Sequence, residues 1–377
     1  METRETGVIA APVDTARVTG PGPTIWRDDL IAVLLSATVI GGLLLDGWNH
    51  LVLQKGKLGS FFTPWHGLLY AGFTANAIWV ISRNKHLWKK DVKPDPHLYK
   101  VGNYHFRYPF AMLGLVLVFT GMMGDLVWHT VLGEETDVAR VIAPFHIILF
   151  FGASLLIAAP LRSAWYAPEE YPRNGTFVRL LPPLLSVLLL TVAASFLLQW
   201  MSPFMEWSAT PLGSLTGIVP DNEGLQTAMA SRVVLADILL VGPLLLAMRR
   251  WTLPPGSATL VFTVVALCMA GLTSFHLLAT VFAAAAGGVA VDLMLWWGRR
   301  LSTSVQMFLL AGVTPVVIWP IYFVILAEHY GANWPVDFYL GVASLAALVG
   351  LVVAFLAGLP IPEEADTLHL AGGRPVL

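Results

Sequence analysis

From residue 28 to residue 358 the chain returns repeatedly to apolar runs of about twenty residues, and this limits its fold more than any other feature. A helix of that length crosses the hydrocarbon core of a bilayer and satisfies its own backbone hydrogen bonds there. Charged residues make up only 12% of the chain against 56% hydrophobic, too few to clothe a water-soluble globule. The expected class is all-α, a polytopic transmembrane bundle of about ten helices. Its runs are 28–47, 63–82, 108–128, 139–160, 178–200, 230–248, 257–276, 278–298, 304–327 and 335–358. The stretch 257–298 has no polar break and is too long for one crossing, so a tight turn is expected near Ser274 to Ala279. Residues 1–27 and 359–377 read as disordered tails, and 1–27 lacks the pattern of a cleaved signal peptide.

Orientation follows from Lys and Arg, which stay in cytoplasmic loops. Loop 83–107 carries Arg83, Lys85, Lys89, Lys90, Lys93, Lys100 and Arg107, and the later loops holding Arg162, Arg173, Arg249, Arg250, Arg299 and Arg300 fall on the same side of a ten-helix count. The opposite loops are poor in basic residues, with Lys55 and Lys57 as the exception. The expected location is the plasma (inner) membrane, with both termini cytoplasmic. A net charge of −2 argues against a nucleic-acid partner, and the lone cysteine, Cys268, excludes both a disulfide framework and a thiolate metal site.

Within this apolar background one polar pattern is written twice. The first copy runs Asp46-Gly-Trp-Asn-His50 and on to Thr63-Pro-Trp-His66, with Gly72 six residues later. The second runs Asp125-Leu-Val-Trp-His129 and on to Ala143-Pro-Phe-His146, with Gly152 six residues later. An Asp and a His at i and i+4 share one helix face, and a second His opening the returning helix completes a set of two histidines and one carboxylate. Such a set with open positions suits zinc or non-haem iron at a catalytic site. Residues 28–160 therefore read as a tandem repeat of metal-binding helical hairpins, with 161–358 forming the remaining six-helix region. The candidate ligands are Asp46, His50, His66, Asp125, His129 and His146, arranged as one dinuclear or two mononuclear sites at the extracytoplasmic rim. Glu134 and His276 are possible additions.

Other polar residues have structural readings. Glu328 and His329 are adjacent and point apart on a helix, while Met201 and Met205 can serve as thioether ligands or as packing. Asp292 is either a hydrogen-bonded packing group or part of a proton path. His86, His97 and His105 lie in the basic loop. Trp48, Trp65, Trp128, Trp200 and Trp207 form an aromatic belt, and Gly287-Gly288 marks close helix packing. Apart from Asp292 the inner halves of the helices read as apolar.

On the motif residues the chain resembles an uncharacterised bacterial polytopic membrane family that carries Asp-Gly-Trp-x-His…Phe-Phe-Thr-Pro-Trp-His together with Asp-x-x-Trp-His…Pro-x-His. Asp46-x-x-x-His50 and Asp125-x-x-x-His129 also resemble, more distantly, the copper-binding Asp-x-x-x-His…His motif of the C subunit of particulate methane and ammonia monooxygenases. Here fifteen or sixteen residues separate the two histidines, more than in that family, and the motif crosses a hairpin and occurs twice. The resemblance implies metal binding, with copper as one candidate. The expected function is a copper- or iron-dependent membrane oxidoreductase acting on a lipid-soluble or small apolar substrate. It would be served by an electron-donor or copper-delivery protein, with loop 201–229 covering the site. The alternatives are a metal-ion transporter or metal-handling protein, a zinc-dependent hydrolase, and a haem-b electron carrier.

Overall fold

A computed structural model describes residues 25–53, 63–87, 99–101, 104–133, 141–205, 217–218 and 223–359. Among these residues the protein is all-α, with eleven helices and two short strand pairs. The helices are α1 (Ile25–Trp48), α2 (Pro64–Arg83), α3 (Pro109–Leu132), α4 (Pro144–Ile157), α5 (Ala159–Trp165) and α6 (Leu181–Leu197). They continue as α7 (Glu223–Arg250), α8 (Ser257–Gly271), α9 (Val281–Trp297), α10 (Thr303–Tyr330) and α11 (Val336–Ala357). Each of the ten expected runs contains a helix, and α1 begins three residues before the expected boundary.

The chain is a multi-pass membrane protein by the length and apolarity of its helices. Six of them are long and apolar enough to cross a bilayer, and a seventh span arises if α4 and α5 are joined across their 40° bend. The bend corrects the single run 139–160. Pro160 has no amide hydrogen for the Leu156 carbonyl, so the helix breaks there. The Ile157 carbonyl at the break is satisfied instead by the Ser186 hydroxyl of α6. α6 and α8 are shorter than the expected spans, and α2 is less apolar because it carries His66, Tyr70 and Asn76. The long run 257–298 is divided as expected. α8 stops at Gly271, Ser274 and Phe275 take positive φ of 56° and 62°, and α9 starts at Val281. Large apolar side chains such as Ile78, Phe119, Val127, Phe282, Leu348 and Phe355 are exposed on the outside of the bundle, where lipid would cover them.

The basic loops meet at one end. Asp29 accepts hydrogen bonds from Tyr108 (2.8 Å) and Tyr171 (2.7 Å), Asp28 pairs with Arg83 (3.4 Å), and Arg250 donates to the Trp165 and Tyr171 carbonyls. Arg173 reaches Thr303, and Arg249 reaches the Leu359 carbonyl at the end of α11. The ends of α1, α6, α8 and α10 gather at the opposite pole, where Trp48 donates to Ser274 (2.9 Å) and Tyr322 to the Pro203 carbonyl.

The two halves are packed differently. Helices α6 to α11 share one continuous core with the inner face of α1, with Trp319, Phe262, Leu240 and Leu244 fully buried. Gly287 and Gly288 let α9 lie directly on α10 and α8, since a Cβ on Gly288 would stand 2.5 Å from the Thr259 backbone. Asp292 is a packing group: its carboxylate accepts from the Ala258 and Thr259 amides and the Thr259 hydroxyl, capping the start of α8. The pairs α1–α2 and α3–α4 are tight antiparallel hairpins that touch each other only lightly, around a small separate core that includes Val39, Phe73, Val118 and Leu156.

Glycines set the crossing inside each hairpin, and they repeat. Gly42 and Gly121 each lie four residues before the motif aspartate. A Cβ there would stand 2.7 Å from the Leu69 backbone in the first hairpin and 3.0 Å from the Leu149 backbone in the second. Leu69 and Leu149 each follow the second motif histidine by three. Gly72 and Gly152 complete the contact from the returning helix, with backbone atoms at 3.0 Å and 2.8 Å.

Candidate metal centre

Each aspartate is a hub facing two histidines. Asp125 Oδ1 lies 3.2 Å from His129 Nε2 and 3.2 Å from His146 Nε2. Asp46 Oδ1 lies 3.2 Å from His66 Nδ1, and its Oδ2 lies 3.6 Å from His50 Nε2. In both sets the three donor atoms all fall within 4.8 Å of one another. Ligand atoms bound to a common ion at about 2.0–2.2 Å stand about 3.0–3.5 Å apart, which matches three of these four distances. Asp125 Oδ1 is buried and accepts no well-directed hydrogen bond, although two ring nitrogens face it. Donor atoms that converge in this way could hold a metal ion between them, one set of two histidines and a carboxylate in each hairpin.

Local structure explains how the residues converge and why the copies differ. In the second copy Asp125 and His129 sit one α-turn apart near the end of α3, and His129 Nδ1 lies 3.3 Å from the Gly133 carbonyl, which orients Nε2 toward Asp125. In the first copy the end of α1 widens into a π-turn, Asn49–Leu53, that carries His50 slightly farther from its aspartate. The second histidines both occupy the third position of a helix opened by proline, where the missing amide hydrogen costs nothing. Thr63 caps α2 by accepting from the His66 amide (3.1 Å), and its hydroxyl also lies 3.1 Å from His66 Nδ1. Ala143 offers no such cap to α4. An aromatic pair flanks each set, Trp48 on Trp65 and Trp128 on Phe145, both edge to face.

The two sets open on one space. A cavity of about 460 Å³ has Asp46, His50, His66, Asp125 and His146 on its wall. Below them it is lined by apolar side chains of α1, α2, α4 and α6, ending among Val39, Ala153 and Ile157. The sets lie within electrostatic reach of each other: His66 interacts with Asp125, His129 and His146 as well as with its own His50. They share no ligand, so the arrangement is two adjacent nests with a common floor.

The other expected residues go elsewhere. Glu134, His97, Trp207 and residues 206–216 and 219–222 of loop 201–229 lie outside the described residues; within that loop Gly217–Ile218 pairs with Ala332–Asn333 at the end of α10. His276 is exposed on the turn after α8 and joins neither set, and Glu328, His329 and Asp337 are exposed at helix ends. Met205 is fully buried packing.

Two wall residues, Tyr70 and Gln199, were not singled out from the sequence, and a third, Trp200, was read only as part of the aromatic belt. Tyr70 lies one turn after His66, its ring 5.9 Å from the imidazole, and interacts electrostatically with both Asp125 and Asp46. Its spacing from His66 was the available signal. Gln199 and Trp200 arrive from the end of α6 with no motif to mark them. The expectation of apolar inner halves also needs correction. Asp237 is fully buried in mid-α7, where its Oδ1 accepts from the Trp319 indole (3.3 Å), and Asn76 and Ser36 form a buried polar pair between α2 and α1. The chain matches no protein-family model, no curated protein and no solved structure.

Proposed function

We propose that the protein is a membrane metalloenzyme, a copper- or iron-dependent oxidoreductase of the monooxygenase type acting on an apolar, lipid-soluble substrate. The observation that carries this reading is that both triads open on one large cavity whose far end is lined by apolar side chains. A site that only stored or relayed ions would have no use for such a space, and the apolar floor at Val39, Ala153 and Ile157 gives an ion no onward path.

Asp46, His50 and His66 would hold one ion, and Asp125, His129 and His146 the other. The bound metal would supply dioxygen activation, and the net reaction is C–H plus O₂ plus two electrons and two protons giving C–OH and water. The electrons require an external donor protein. The chain's own residues exclude water, hold the substrate against the triads and keep the imidazoles oriented through Thr63 and Gly133. The resemblance to the C subunit of the copper monooxygenases favours copper.

Elemental analysis of purified protein tests the reading. Wild type is expected to hold two ions per chain, and the Asp46→Ala/His50→Ala and Asp125→Ala/His129→Ala variants one each. Unchanged metal in both variants would overturn the proposal. Loss of all metal from either one would replace two sites by a single dinuclear centre.

A further inference from the structure

The two triads repeat one motif, but they are not equally prepared to receive an ion. In the second, a single oxygen, Asp125 Oδ1, lies 3.2 Å from both imidazole Nε2 atoms, so the three donors already converge on one point. In the first, the aspartate divides its oxygens, Oδ1 facing His66 at 3.2 Å and Oδ2 facing His50 at 3.6 Å. The helix ends differ in the same sense. His129 sits in the continuous α3 with its Nδ1 3.3 Å from the Gly133 carbonyl, whereas His50 sits in the π-turn Asn49–Leu53. A donor set that is already assembled gives up less freedom when the ion arrives, which favours the second triad. Asp46, His50 and His66 all stand on the cavity wall, while His129 is not part of it.

The triads also lie within reach of each other's charge. His66 interacts electrostatically with Asp125, His146 and His129, and Tyr70 interacts with both aspartates. Among the described residues of the shared wall, Asp46 and Asp125 are the only carboxylates, and no lysine or arginine stands beside them. An empty triad with neutral imidazoles carries one negative charge, and a divalent ion turns that into one positive charge. Across an apolar cavity such a reversal of sign acts strongly on the neighbouring ion.

We infer that the triads load in a fixed order and oppose each other. A divalent ion goes first to Asp125, His129 and His146 and stays resident. Its charge weakens the hold of Asp46, His50 and His66 on a second ion, which exchanges through the cavity. The inference rests on the reading of both triads as metal sites and gives them different tasks, one permanent and one refillable.

Zinc(II), whose charge stays fixed during the measurement, is the probe, titrated into the metal-free full chain in detergent against a chromophoric chelator. Wild type should take up two ions in two steps, the second weaker by about tenfold or more. The Asp46→Ala/His50→Ala variant, left with the second triad, should bind its ion more tightly than the Asp125→Ala/His129→Ala variant, left with the first. That second variant should still bind more tightly than wild type binds its second ion, because its neighbouring triad is neutral rather than positive. Reversed affinities of the two variants would overturn the loading order, and a first triad equally tight in its variant and in wild type would overturn the opposition. Wild type decides even if a variant does not fold: with two zinc ions bound and excess chelator added, one ion should leave readily and the other stay, and loss of both at one rate would overturn the inference. A chain that holds no zinc loses the metal reading itself, whereas one that holds two ions with equal, independent affinities loses only this inference.

Discussion

At the scale of single residues the two triads are the same idea executed with different atoms. His146 turns Nε2 to its aspartate, while His66 turns Nδ1, the nitrogen that Thr63 also approaches. Residue types and spacing made the six donors legible, because an i, i+4 pair on one helix and a histidine just after a helix-opening proline leave little freedom. Which ring nitrogen is used was not legible, since it depends on the π-turn after α1 and on the cap at Thr63. Tyr70 and Gln199 escaped for a related reason: they line a cavity to which five helices contribute, and no local pattern records a cavity. The asymmetry has a measurable consequence. Thr63→Ala removes a helix cap worth about 1 kcal/mol and the hydroxyl beside His66. Metal affinity of the first site should fall about tenfold with the second unchanged, read by titration against a chromophoric chelator. Equal weakening of both sites would refute separate nests.

At the scale of elements the hairpin is the working unit, and its glycines are as much part of the repeat as its ligands. Gly42 with Leu69, and Gly121 with Leu149, occupy matching places relative to the motif and fix how closely the two helices approach. This was present in the sequence but silent, because an isolated glycine in a membrane helix is common and only the crossing reveals its purpose. Helix existence was legible from the apolar runs, whereas the bend at Ala158 and the early ends of α6 and α8 were not: the Ser186 hydroxyl meets the carbonyl at the bend, and tight local turns take up the backbone after α6 and α8. Gly152→Val tests the unit. Its side chain would meet the Gly114 carbonyl and the Val118 amide, both backbone atoms that cannot rotate away, so about 1–3 kcal/mol of destabilisation is expected. Parting α3 from α4 should also empty the second metal site while the first keeps its ion. Loss of both ions at wild-type thermal stability would mean that the hairpins do not act independently.

At the scale of the molecule, α6 to α11 form a packed buttress while α1 to α4 together with α6 wall a cavity, and the two poles carry different chemistry. The packed half presents α6 to the first hairpin: Phe196 fills the space over Gly47, next to Asp46, and the residues that follow bring Gln199 and Trp200 to the cavity wall. Asp29, Arg107, Tyr108 and Tyr171 lock the basic pole, and the triads sit at the other. Because Lys and Arg mark the cytoplasmic side, the triads should face outward, where metal delivery and an electron donor would have to reach them from the extracytoplasmic space. Cysteine labelling decides the matter, aided by the single native Cys268, which Cys268→Ala removes. In that background Ser214→Cys, in the loop after α6, should react with a membrane-impermeant maleimide in intact cells, and Lys89→Cys, in the basic loop, only after permeabilisation. The reverse pattern would put both triads on the cytoplasmic face, and the donor would then be sought among soluble cytoplasmic reductases.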